Sequence, residues 1–90
     1  MTRAELATAG DHLATAADAA SRAGAADRLA ELADQCHDLA EAEQGPDHGR
    51  LARIQAAMHD LEDDVSDDVR KSIEAANEAI NDYREDLEGV

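Results

Sequence analysis

The sequence predicts an all-α protein, an antiparallel up-down-up-down bundle of four short helices. Three observations carry that expectation. Apolar residues recur at three- and four-residue spacing over most of the chain, which is the period of one helix face. No segment reads as a strand. Short breaks near Gly24, Gly45-Pro46 and Ser66 divide the chain, and connections of a few residues favour antiparallel neighbours. Ninety residues allow one domain, spanning 1–90.

The first helix opens with Thr2-Arg3-Ala4-Glu5, a capping-box pattern in which Thr2 and Glu5 each satisfy a free backbone N–H. Its apolar stripe is Leu6, Ala9, Leu13, Ala16 or Ala17, and Ala20. Two leucines make a weak stripe, but alanines let a neighbouring helix approach closely. Gly24 is the expected C-cap, because glycine tolerates the left-handed conformation. The competing reading is one long helix through Ala25 and Ala26, both strong helix formers.

The second helix is expected from about Ala26 to Gln44, with Leu29, Leu32, Cys36 and Leu39 on its stripe. Gly45-Pro46 ends it, glycine as cap and proline as the residue that cannot continue the hydrogen-bond ladder. The third helix begins near Pro46 or Asp47 and carries Leu51, Ile54, Met58, Leu61 and Val65. Ser66 is the expected N-cap of the fourth, and Asp67 and Asp68 complement its dipole. That helix has the longest stripe, Val69, Ile73, Ala76, Ile80, Tyr83 and Leu87. Leu32, Ile54, Ile73 and Ile80 lie mid-stripe and are expected in the core.

Charge bounds the setting. The chain holds 22 acidic residues against 8 basic ones, for a formal charge of −14, and Lys71 is its only lysine. Such a surface repels itself at low ionic strength and needs screening. Acidic, lysine-poor composition points to a salt-rich cytoplasm and a halophilic source. The same charge disfavours anionic lipid and nucleic acid. No apolar run approaches a membrane span, and no signal peptide is expected. With no Phe or Trp and alanine as the main filler, the core is thin, and thin cores are often completed by a second copy or a partner.

Candidate chemistry is sparse. Gly45-Pro46-Asp47-His48-Gly49-Arg50-Leu51-Ala52-Arg53 resembles the central segment of a family of small acidic haloarchaeal proteins with no assigned function, and Tyr83-Arg84-Glu85 through Glu88-Gly89-Val90 is similar as well. The resemblance covers the whole chain and implies a helical fold and a haloarchaeal origin, but no activity. Read from the residues, the same segment gathers His48, Arg50 and Arg53 at a helix N-terminus, where free N–H groups favour an anion. An antiparallel bundle would bring Arg3 and Arg84 to that end. The functional reading is a site for an anion or an acidic partner. The plainer one is loop geometry with ion pairs to Asp47, Glu43 and Asp86, each worth little when exposed.

His12 and His37, with Asp34 and Glu41 nearby, could be imagined as a mixed metal site. However, neither the Glu-x-x-His pairs of di-iron bundles nor His-Glu-x-x-His occurs, so no metal is expected. Asp63-Asp64 and Asp67-Asp68 lack the pattern of a calcium loop and read as helix-end charge. Cys36 reads as a buried, inert thiol, and Tyr83 as a core residue with its hydroxyl at the rim. The sequence therefore predicts no catalytic residues and no cofactor. It points to a non-enzymatic interaction or scaffold module, self-associating or bound to a protein partner. The alternatives are a small anion-binding module at His48, Arg50 and Arg53, or an acidic decoy that mimics nucleic acid.

Overall fold

A computed structural model describes residues 3–88, with side-chain environments through residue 86. Four helices run in order: α1 Ala4–Ala19, α2 Ala23–Glu41, α3 His48–Glu62 and α4 Asp67–Glu88. They pack as a four-membered ring with α1 diagonal to α3, in a body measuring 39 × 19 × 18 Å. Contacts between helix ends fix the antiparallel sense. Arg3, before α1, reaches the end of α2, Arg22, before α2, reaches Asp64 after α3, and His48 at the start of α3 meets Arg84 late in α4.

The helical stripes form one core joining all four helices. Leu6, Leu13, Leu29, Leu51, Ile73 and Ile80 are fully enclosed, and Leu32 and Ile54 are also buried, as their mid-stripe positions predict. Helix α1 contributes mostly small residues, Ala9, Gly10 and Ala16 beside its two leucines. Consequently α1 lies close to both α2 and α4, while α3 stands further from α2. At the α2–α3 rim the residues are Arg28, Glu31 and Gln35, long and polar, and they leave a groove open.

The helix ends depart from expectation in three places. Helices one and two form a hairpin, but its break is Ala20–Ser21–Arg22 rather than Gly24. Ala20 and Arg22 take extended backbone angles that any residue adopts. No described residue has positive φ, so no glycine serves as a left-handed cap. Gly24 instead lies in the first turn of α2, with open space around it. Helix α2 likewise stops at Glu41, before Gly45, and Ala42 is extended. The Thr2–Glu5 capping box rests on Thr2, which lies outside the described residues, and Arg3 occupies the N-cap position. Leu87's side chain and the ending Gly89-Val90 also lie outside them.

The Ser66 cap of α4 forms as expected, and the structure adds a side-chain cap at the start of α3. Asp47 Oδ1 accepts from the Arg50 backbone N–H at 2.8 Å, and Ser66 Oγ from that of Val69 at 3.5 Å. Carbonyls at the ends of α2 and α3 are met by arginines from elsewhere in the chain. Arg3 Nη1 donates to Leu39 O at 3.2 Å and Ala42 O at 2.7 Å, and Arg70 Nε to Glu62 O at 3.2 Å. A cation there complements the negative end of the helix dipole.

Candidate partner-binding face

His48, Arg50 and Arg53 sit on the first turns of α3, but they point to two sides of it. His48 faces α4. Its Nδ1 accepts from Arg84 Nε at 3.1 Å. Arg84 Nη1 also donates to Gln55 Oε1 at 2.7 Å, and Gln55 Nε2 donates to Asn77 Oδ1 at 2.9 Å and Asn81 Oδ1 at 2.8 Å. These five side chains form one polar ladder along the α3–α4 seam. His48 and Arg84 are thereby engaged within the fold.

Arg50 and Arg53 face the other way, onto the α2–α3 groove. Arg28 of α2 joins them there, around a space of about 490 Å³ floored by Leu32, Ile54 and Ala57. Among the described residues no carboxylate lies within 4.0 Å of any of these three guanidinium groups. Glu31 lines the same segment, so its formal charge is +2 from three arginines and one acid. In a chain with nearly three acids for every base, carboxylates are the groups expected to lack partners. Three arginines on one groove with no carboxylate partner among the described residues are therefore the most distinctive electrostatic feature of the described surface. The expected pairing of Arg50 and Arg53 with Asp47, Glu43 or Asp86 is not formed. Asp47 spends an oxygen on the Arg50 backbone instead.

Arg28 was not legible as part of this site, because only the packing of α2 on α3 brings it there. The Gln55–Asn77–Asn81 ladder was missed for the same reason. The available signal was a pair of amides four residues apart on the flank of the α4 stripe.

The remaining candidates are accounted for locally. His37 Nε2 lies 2.9 Å from Asp11 Oδ1, across the α1–α2 seam. Among the described residues no three His, Cys, Asp or Glu side chains come together as a metal would require. Cys36 is fully enclosed, and burial pushes its thiol from 9.0 up to about 11, away from the thiolate that nucleophilic chemistry needs. Tyr83 is half-buried against the core. Its hydroxyl and the Arg3 guanidinium crowd Gly45, where an added Cβ would lie 2.7 Å and 2.8 Å from them. Among the described residues, no helix is long and apolar enough to cross a membrane.

Fold and surface together define a small acidic four-helix bundle with one cationic groove. The chain belongs to the DUF7553 family, a family of unknown function, which it matches over residues 1–86. No curated protein matches it, and no solved structure does.

Proposed function

We propose that this chain is a non-enzymatic protein-interaction or scaffold module of a salt-loving archaeon's cytoplasm, and that it meets its partner through the α2–α3 face. The observation that carries this is the trio Arg28, Arg50 and Arg53 on a groove with an apolar floor, where no carboxylate among the described residues pairs with them. Arginine supplies a planar fork for carboxylates and is enriched at protein interfaces. The net charge of −14 with a single lysine supports the halophilic setting. The decisive test is affinity capture from a native high-salt lysate with the wild-type chain and with Arg50→Ala/Arg53→Ala. A partner lost by the double variant, with helicity in salt retained, supports the reading. Capture that ignores the substitutions refutes it.

The same trio favours a second reading, in which the groove holds a small polyanion. Inorganic phosphate or sulfate would then protect the fold against heat in proportion to its concentration, and would lose that effect in the double variant. The decoy reading has less behind it. Exposed acids such as Asp11, Asp27, Asp60 and Glu78 lie on all four helices rather than on one side.

A further inference from the structure

Five positions on α3 and the turn after it line the α3 side of the α2–α3 groove as one ridge of charge, with Ala57 on the groove floor at its middle: Arg50, Arg53, Ala57, Asp60 and Asp64. Spacing of three, four and three residues keeps Arg50, Arg53, Ala57 and Asp60 in line on the helix, and Asp64 follows in the turn after it, beside Asp60 on the same groove. In chain order the ridge reads positive, positive, neutral, negative, negative. Turned end for end about Ala57, it is its own electrostatic complement. An antiparallel α3–α3 pair centred there sets Arg53 opposite Asp60 of the second copy and Arg50 opposite Asp64 of the second copy, twice over.

We infer that the occupant of this face is a second copy of the chain, docked α3 on α3 about a twofold axis at Ala57. The inference rests on the reading of the α2–α3 face as an interaction surface and names its partner. A twofold interface uses the same patch on both subunits, and a charge-palindromic ridge suits that symmetry. Ala57 at its centre is small and half-buried, so the two helices can come close, with Leu61 beside it to add apolar contact.

Repulsion between two copies, each of charge −14, is the main opposing force. It is weakest on α3, because residues 48–59 contain no Asp or Glu, the longest such run in the chain. Concentrated salt screens the rest. Asp64 already lies 3.6 Å from Arg22, but that pair is about two-thirds exposed on both sides, and such pairs hold weakly.

Charge exchange tests the geometry. In molar KCl, sedimentation equilibrium should show the native chain as a dimer at high protein concentration. Arg53→Asp alone places like charges against Asp60 of the second copy, and Asp60→Arg alone does the same against Arg53. Each should weaken self-association by about tenfold or more. An equimolar mixture of the two variants should recover a heterodimer, since both cross-pairs are again opposite in sign. Both positions are exposed, and circular dichroism should show native helicity. If either reversal disturbs the fold, the neutral variants Arg53→Gln and Asp60→Asn take its place, and each should still weaken the dimer.

A native chain that stays monomeric at millimolar concentration overturns the inference. So does a dimer indifferent to the substitutions, or a mixture of well-folded variants that fails to recover. If the chain is monomeric while lysate capture still depends on Arg50 and Arg53, the interaction face stands and its occupant is another protein. If capture is also indifferent, both readings fall.

Discussion

The ring of His37 lies directly over Gly10, with its Nε2 2.9 Å from Asp11 Oδ1 on the same helix. A Cβ at position 10 would come within 2.4 Å of the ring. Glycine is thus the residue that lets a histidine of α2 cross the backbone of α1. Elsewhere in a helix interior glycine costs about 1 kcal/mol relative to alanine, and here two effects oppose each other. Gly10→Ala should gain helix propensity and lose the His37–Asp11 contact, leaving stability within about 1 kcal/mol of native. In a His37→Ala background the obstruction is gone, and the same substitution should stabilise by about 1 kcal/mol. Thermal or urea unfolding of the four chains gives both values. Equal effects in the two backgrounds would show that the ring does not constrain position 10.

Arg84 and Arg50 should behave oppositely although both lie near the same end. Arg84 is half-buried and donates to His48 and Gln55, so Arg84→Ala should destabilise by about 1.5–3 kcal/mol, the range for hydrogen bonds to a charged group. Arg50 is exposed and its side chain pairs with no described carboxylate, so Arg50→Ala should change monomer stability by less than about 0.5 kcal/mol. Urea midpoints in constant KCl compare them. A large loss at Arg50 would mean that the groove arginines hold the fold together.

Ile73 is fully enclosed at mid-stripe of α4. Ile73→Ala should cost about 2–5 kcal/mol, a large part of the total for a small domain. The equilibrium unfolding curve should shift accordingly. A cost under 1 kcal/mol would mean that the alanine-rich core closes around the cavity.

The buried thiol gives a pH dependence with a definite sign. Cys36 has a native pKa of about 11 against 9.0 unfolded. Below pH 9 both states hold the proton and the contribution to stability is complete. As pH rises from 9 towards 11, the unfolded thiol ionises while the native one does not, and stability falls. A two-unit difference corresponds to a loss of about 3 kcal/mol. Cys36→Ala should be less stable at neutral pH but should lose less between pH 9 and 11 than the native chain. Parallel curves would refute the assignment.

Salt should act on the whole molecule. With −14 on 90 residues, removing KCl restores unscreened repulsion among the acids. Helical circular dichroism and melting temperature should decline from molar to millimolar KCl. Unchanged values would show that the charge spacing already keeps repulsion small.

Much of this architecture was legible in the sequence. Spacings such as Leu51–Ile54–Met58 and Val69–Ile73–Ala76–Ile80 determine which residues enter the core, because a helix has one period and burial selects one face. Ser66 determines the start of α4, since a short side-chain acceptor next to free N–H groups acts locally. Gly24 and Gly45 misled because a glycine only permits a left-handed cap. Where the chain turns was decided by the need to lay the α1 stripe against that of α2, and Ala20 and Arg22 could take the extended angles at little cost. The split of His48 from Arg50 and Arg53, the arrival of Arg28 beside them, and the crossing of His37 over Gly10 were decided by tertiary structure alone. Each depends on the rotation and separation of neighbouring helices, which residue spacing within one helix does not specify. Small α1 residues draw α2 and α4 inward, leaving the α2–α3 side open, and that difference in packing distance created the cationic groove.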